Sequence, residues 1–183
     1  MPTGHVFIAT SLDGYVARTD RTLDWLMKQP AEDGDTAFAD FMKSVDGLIM
    51  GAGSFRTLLV MEEWPYDKPV IVMSLSMQDS DIPPHLAGKV RISDAPISAL
   101  MDQLNRRGWK RVYVDGGRLV QSFLREGRIA DLEITVVPIL IGSGIRLFGA
   151  LEQDIDLELV STEPHKNGTV TLKYRVPRQR ITQ

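Results

Sequence analysis

Residues 112–129 read VYVDGGRLVQSFLREGRI. The apolar run Val112-Tyr113-Val114 ends at Asp115, and two glycines, Gly116 and Gly117, follow it. A helical stripe then begins at once, with Leu119, Val120, Phe123 and Leu124 on one face and Gly127 as a natural residue just past the helix end. Strand, turn and helix in such close succession form the unit of an α/β fold. The glycine pair admits two readings. A strand-to-helix turn uses glycine's conformational freedom, and helix-start amides that can approach a ligand without a Cβ in the way favour an anion such as phosphate.

Outward from this stretch, the same unit recurs. Apolar runs at 5–10, 47–50, 69–74, 111–115 and 132–141 read as strands, with a shorter one at 89–93. Several lack strict alternation, as expected of strands covered on both faces. Helical stripes lie between them: Phe38, Phe41, Met42 and Val45, then Ile97, Leu100, Met101 and Leu104, the latter framed by Asp94, Pro96 and Gly108. A short turn of helix is expected from Gly53 to Leu59. The pattern then changes. Ile155, Leu157 and Leu159 alternate with acids, Val170, Leu172, Tyr174 and Val176 alternate with polar residues, and Asn167-Gly168 lies between the runs, which predicts a terminal antiparallel hairpin. The chain is expected to be one domain over 1–183, with a mixed, mostly parallel α/β sheet and C-terminal antiparallel strands.

Composition removes several function classes. There is no cysteine among the 183 residues, which excludes disulfides, thiolate catalysis and cysteine-ligated zinc. His5, His85 and His165 show no metal-ligand spacing, so no metal is expected. A net charge of −3 makes no case for nucleic acid. The N-terminus lacks the pattern of a signal peptide and no apolar run is long enough to span a membrane, so a cytoplasmic protein with no membrane partner is expected.

Ligands of open α/β sheets bind beyond the carboxyl ends of the strands. Those ends carry Ser11-Leu12-Asp13-Gly14, Gly51-Ala52-Gly53-Ser54-Phe55-Arg56, Ser74 and Asp115-Gly116-Gly117-Arg118. Two glycine turns near one cleft favour phosphate binding more than either alone. Asp13 and Asp115 are acids beside glycines. Each is a candidate for fixing substrate or relaying a proton, and equally for capping a turn. Asp35, before the 38–45 stripe, carries the same ambiguity.

Three ordered segments, SLDGYVA at 11–17, DGLIMGAGSFR at 46–56 and the long stretch from Val112 to Phe148, resemble the dihydrofolate reductase-like superfamily. Within it, the chain is most similar to the reductase domain of the riboflavin-biosynthesis deaminase-reductases and their stand-alone relatives. The resemblance implies a three-layer α/β/α fold and an NADPH-dependent reductase, usually a homodimer, that delivers hydride to a small heterocyclic or sugar-pyrimidine-like substrate. By position it implies that Gly116, Gly117, Arg118, Leu119 and Val120 meet the cofactor diphosphate. Gly51, Ala52, Gly53 and Ser54 would line the adenosine-phosphate side with Ser74 nearby, and Ala9 and Thr10 would border the nicotinamide. Trp25 matches a cofactor-proximal tryptophan, and Asp115 and Thr135 fall on the substrate side. Asp35 lies at the spacing of the acid that protonates folate.

Some residues depart from that pattern. Leu58 stands where the riboflavin enzymes usually have an aspartate, and Ala130-Asp131-Leu132 replaces their Asp-Glu-Leu. Ala52 stands where dihydrofolate reductases often carry an arginine, which leaves Arg56 and Arg118 as candidates for a 2′-phosphate. Dihydrofolate reductase or 5-amino-6-(5-phosphoribosylamino)uracil reductase proper is one alternative. A non-catalytic nucleotide-binding regulatory module is another.

Overall fold

The structure, a computed structural model, describes residues 1–28, 36–61 and 63–177. Six parallel strands form most of the sheet: β1 (Thr3–Ser11), β3 (Gly47–Gly51), β4 (Val70–Met73), β5 (Val90–Ser93), β6 (Arg111–Asp115) and β7 (Ile129–Val137). Two antiparallel strands, β9 (Glu158–Pro164) and β10 (Val170–Arg175), extend it beyond β7. The full order is β5-β4-β3-β6-β1-β7-β10-β9. The expected mixed sheet with a C-terminal antiparallel edge is therefore present, as is the three-layer arrangement.

The helices pack where their apolar stripes dictate. On α3 (Ile97–Arg106), Ile97, Leu100, Met101 and Leu104 are all buried, and α4 (Gly117–Arg125) buries Val120, Phe123 and Leu124. Both cover one sheet face, against Val6, Ile49, Ile71, Val112, Val114, Leu132 and Ile134. Full burial of each such side chain stabilises the fold by roughly 1.5–3 kcal/mol. The opposite face packs Leu48, Met50, Val70, Val72 and Tyr113 beneath Phe55 of α2 (Ala52–Leu58) and Phe41 and Met42 of α1 (Ala37–Ser44). Alternation along each strand sends neighbouring side chains to these two cores.

Boundaries moved for identifiable reasons. The strand expected over 132–141 begins at Ile129 and stops at Val137, because Pro138 has no N–H to continue the ladder. The hairpin turn at Asn167-Gly168 is as expected, with Gly168 at φ 85°. The strand before it starts at Glu158, opposite Arg175 where β10 ends, so Ile155 and Leu157 lie upstream of any pairing partner. No sequence signal pointed to a second, two-stranded sheet, β2 (Tyr15–Ala17) with β8 (Ile145–Arg146). Its strands are too short for periodicity. A side-chain clip holds it instead, with the Arg146 guanidinium 4.7 Å above the Tyr15 ring and donating to the Tyr15 hydroxyl at 3.0 Å. No helix among the described residues is long and apolar enough to cross a membrane.

Gly47 opens β3 beneath Trp109. A Cβ there would run into the indole ring and lie 2.7 Å from the Pro69 carbonyl oxygen. Gly47→Ala is expected to cost about 1–3 kcal/mol through overpacking, read as a lower midpoint in chemical unfolding. An unchanged midpoint would mean that Trp109 yields freely.

Candidate functional site

β3 and β6 are neighbours in the sheet, yet the helices that follow them leave in opposite directions. Phe55 of α2 packs on one face and Val120 and Phe123 of α4 pack on the other. The sheet therefore has a topological switch point between β3 and β6, and the carboxyl ends of strands at such a point are where open α/β sheets bind ligands. Met50 pairs with Asp115 in the register of these strands, so the two glycine turns start side by side at the crevice.

The glycines there do different work. Gly116 adopts φ 93°, and a Cβ on it would lie 2.6 Å from Ser54 Oγ, so this turn accepts glycine alone. The missing side chain of Gly117 makes room for the Arg146 carbonyl and Val16, which is a packing role. Gly51 has nothing within 4 Å of its Cβ position, so its backbone stands open there. Gly53 lies under the Arg21 guanidinium, with Nη1 3.2 Å from the Cβ position. Leu119 packs against the core and Val120 is buried in it, and both of their amides donate to the Gly116 carbonyl at 3.0 Å. Any contact from them to a diphosphate is thus indirect, and the outer amides of this turn belong to Gly117 and Arg118. Arg56 and Arg118 are exposed, and Ala52 is half-buried and packs on the α2-side core.

Asp115 is the acid of the crevice. It retains some accessible surface, but burial raises its pKa above the ordinary carboxylate value, against the lowering effect of hydrogen bonds from Ser54, Tyr113 and the Gly116 amide. The Tyr113 hydroxyl donates to the Phe7 carbonyl at 2.9 Å and lies 3.2 Å from Asp115 Oδ1. Buried Tyr66 is near enough for the Asp115 charge to add to desolvation in raising its own pKa. Above this group, α1 supplies an aromatic wall. Phe38 and Phe41 lie 5.5 and 5.1 Å from the Phe7 ring, and Phe41 meets Tyr113 edge-on at 5.1 Å. Such rings suit a planar heterocycle.

Further along the sheet, Ala9 of β1, Thr135 of β7 and Thr171 of β10 lie in register across three strands. Thr135 Oγ1 and Thr171 Oγ1 are 3.0 Å apart, and His165 Nε2 lies 2.8 Å from Thr171 Oγ1. Thr10 is buried and alternates to the α3–α4 face, away from Ala9. The Ser74 hydroxyl accepts from the amides of Ser76 and Met77 at 3.2 and 3.1 Å and so shapes its own turn. Trp25 is fully buried, and its indole N–H has no partner among the described residues. Asp35 lies outside the described residues.

Asp13 differs from Asp115 in every respect. It accepts from the Ser11 hydroxyl at 2.6 Å and from the amides of Ile141 and Gly142, the latter at 2.7 Å. Chiefly through the Ser11 bond, its pKa falls below the ordinary value. A carboxylate held ionised in this way ties the 11–14 loop to the 139–142 loop and is a poor proton donor. The sequence offered both acids as proton-relay candidates, with only Asp115 on the substrate side, and their environments differ. Phe7, Tyr66 and Tyr113 belong to the core on the α1–α2 side of the sheet, and Phe38 packs on Phe7.

The model of the RibD C-terminal domain matches residues 2–171, and the chain belongs to that family. An uncharacterised protein of Bacillus subtilis (strain 168), YwjB, is 31% identical over 160 residues, covering 86% of this chain and 89% of its own. The crystal structure of a putative riboflavin biosynthesis protein from Shewanella sp. PV-4 superposes with a TM-score of 0.90 at 37% identity, covering 96% of this chain and 99% of that one. Dihydrofolate reductase from Enterococcus faecalis, solved with NADP(H), shares the fold alone, with a TM-score of 0.62 at 12% identity over 95% of this chain and 96% of that one.

The Asp13 clamp has a pH signature. A lowered native pKa gives stability that is complete above the ordinary carboxylate value, about 4, and is lost as pH falls through the native value. The melting temperature of the wild type should therefore exceed that of Asp13→Asn near neutrality, and the gap should close on acidification below about pH 4. A gap that stays constant with pH would show that the ionised carboxylate is not what holds the loops.

Proposed function

We propose that this member of the RibD C-terminal domain family is an NADPH-dependent oxidoreductase that transfers hydride to a small heterocyclic or sugar-pyrimidine-like substrate. The observation that carries the reading is the switch point between β3 and β6, where the Gly51 and Gly116 turns start side by side next to Asp115 and the aromatic wall. A dinucleotide fits the residues present. The Cβ position of Gly51 is empty space, and the Gly116 turn admits no side chain, so backbone can approach a diphosphate. The similarity to riboflavin-biosynthesis proteins, and the NADP(H) in the E. faecalis structure, support the choice of cofactor.

When bound, the nicotinamide supplies the hydride. The chain's own contribution is to hold, orient and protonate. The amides at the Gly116-Gly117 turn position the diphosphate. Ala9 borders the reacting ring, and Thr135 and the rings of Phe7, Phe38 and Phe41 hold the substrate plane. Asp115 keeps its proton to a higher pH than an exposed carboxyl and delivers it to the reduced centre, with the Tyr113 hydroxyl fixing the carboxyl's orientation. This acid is what a non-catalytic nucleotide-binding module would have no use for.

Isothermal titration is expected to show NADPH binding, and no binding of NADPH or NADH at millimolar concentration would reject the reading. Asp115→Asn is expected to lower turnover by roughly 10²-fold while NADPH affinity stays within a factor of about two, less than 0.5 kcal/mol. Wild-type turnover should fall as pH rises through the raised Asp115 pKa, and Asp115→Asn should lose that limb.

The reading includes a homodimer. β9 is an edge strand exposed along its whole length, with Leu159 58% and Val160 57% accessible, a surface that monomeric proteins usually cover or charge. The residues around Gly142 are a poorer candidate, because Leu147 is in the core although Leu140 and Phe148 are exposed. Sedimentation at micromolar concentration should give a two-chain mass for the wild type and one chain for Leu159→Lys. A wild-type monomer would remove the claim.

A further inference from the structure

The turn from Arg18 to Asp24 carries four charged side chains, and three of them are answered locally. Arg18 pairs with Asp24 through both Nε and Nη2. Asp20 accepts from the amide and hydroxyl of Thr22 at 3.0 and 2.7 Å. Arg21 is left over, with no ion pair or side-chain hydrogen bond among the described residues.

Its place is specific. Arg21 lies over α2, with Nη1 and Cζ 3.2 and 3.3 Å from where a Cβ on Gly53 would sit. Five residues upstream, Val16 Cγ2 lies 3.2 Å from the corresponding position on Gly117. Residues 16–21 therefore run from the α4 wall of the crevice to the α2 wall. They deliver an unpaired guanidinium over Gly53, two residues along the chain from the open position at Gly51. Arg21 is also the one non-glycine residue with positive φ, 73°, among those described.

We infer that Arg21 is the specificity-determining residue that distinguishes a cofactor with a phosphate monoester on its adenosine ribose from one without it. The inference rests on the reductase reading above. The diphosphate is common to NADPH and NADH, so the Gly116 turn cannot choose between them. A residue that chooses must stand off the diphosphate, on the adenosine side, and under the reductase reading the Gly51–Ser54 turn is that side. A guanidinium offers two parallel N–H donors that match a phosphate's oxygens, a geometry that an ammonium or hydroxyl lacks. Because the partners of Arg18 and Asp20 lie within the turn, the turn keeps its shape whether or not Arg21 is engaged.

The test uses isothermal titration of the purified chain with NADPH, NADH, 2′,5′-ADP and ADP, for the wild type, Arg21→Gln and Arg21→Gly. Arg21→Gly removes the charge and the left-handed strain together, so it should unfold at the same or a higher temperature than the wild type. Both variants are expected to bind NADPH and 2′,5′-ADP at least tenfold more weakly, with NADH and ADP unchanged. Equal losses for NADPH and NADH would place Arg21 on the diphosphate and overturn the inference. So would unchanged affinities, or a wild type that binds NADH as tightly as NADPH. A wild type that binds neither dinucleotide would instead overturn the reductase reading, and the inference with it.

Discussion

The placement of β6 between β3 and β1 is the constraint from which the rest of the site follows. Parallel strands need crossovers of one hand, so a chain that reverses its direction across the sheet must also change the face its helices occupy. Here α1 and α2 accompany the run from β1 to β4 on one face, and α3 and α4 accompany the return to β6 and β7 on the other. The reversal sets the switch point at the carboxyl ends of β3 and β6.

Polar chemistry at the site is sorted by burial. Asp13 and Asp115 follow neighbouring strands and stand beside glycines, yet their pKa values move apart. Three short donor contacts hold Asp13 ionised, whereas desolvation outweighs the donors around Asp115. The consequences for folding are opposite as well. The contribution of Asp13 is present above the ordinary carboxylate pKa. Asp115 costs stability as pH rises from that value through its own raised one, because the unfolded chain ionises first. A destabilising acid retained in a crevice is the usual mark of a functional group rather than a structural one.

Much of this was legible in the sequence. The stripes on α3 and α4 needed only their spacing, and the glycine turns after β3 and β6 announced a cleft at the strand ends. Short-range signals failed where the structure uses long-range contacts. Gly117 read only as part of a glycine turn, and the packing of its Cα side against the Arg146 carbonyl from a distant segment had no local signal. The full burial of Trp25 had no local signal either. Arg21 sits in ARTDRT, where nothing marks one arginine from the other until Asp24 is seen to take Arg18. Phe7 and Tyr113 read as core, and they are.

The clip formed by β2 and β8 joins Tyr15 to Arg146, across most of the chain's length. Closing so long a loop costs entropy that only a largely assembled sheet can offset. The clip is thus expected to form after the folding transition state, with native contacts that retard unfolding without speeding folding. Because Val16 and the Arg146 carbonyl press on Gly117, the turn beside Asp115 reaches its final shape only when the clip closes. The strands are thus expected to assemble before this turn takes its final shape.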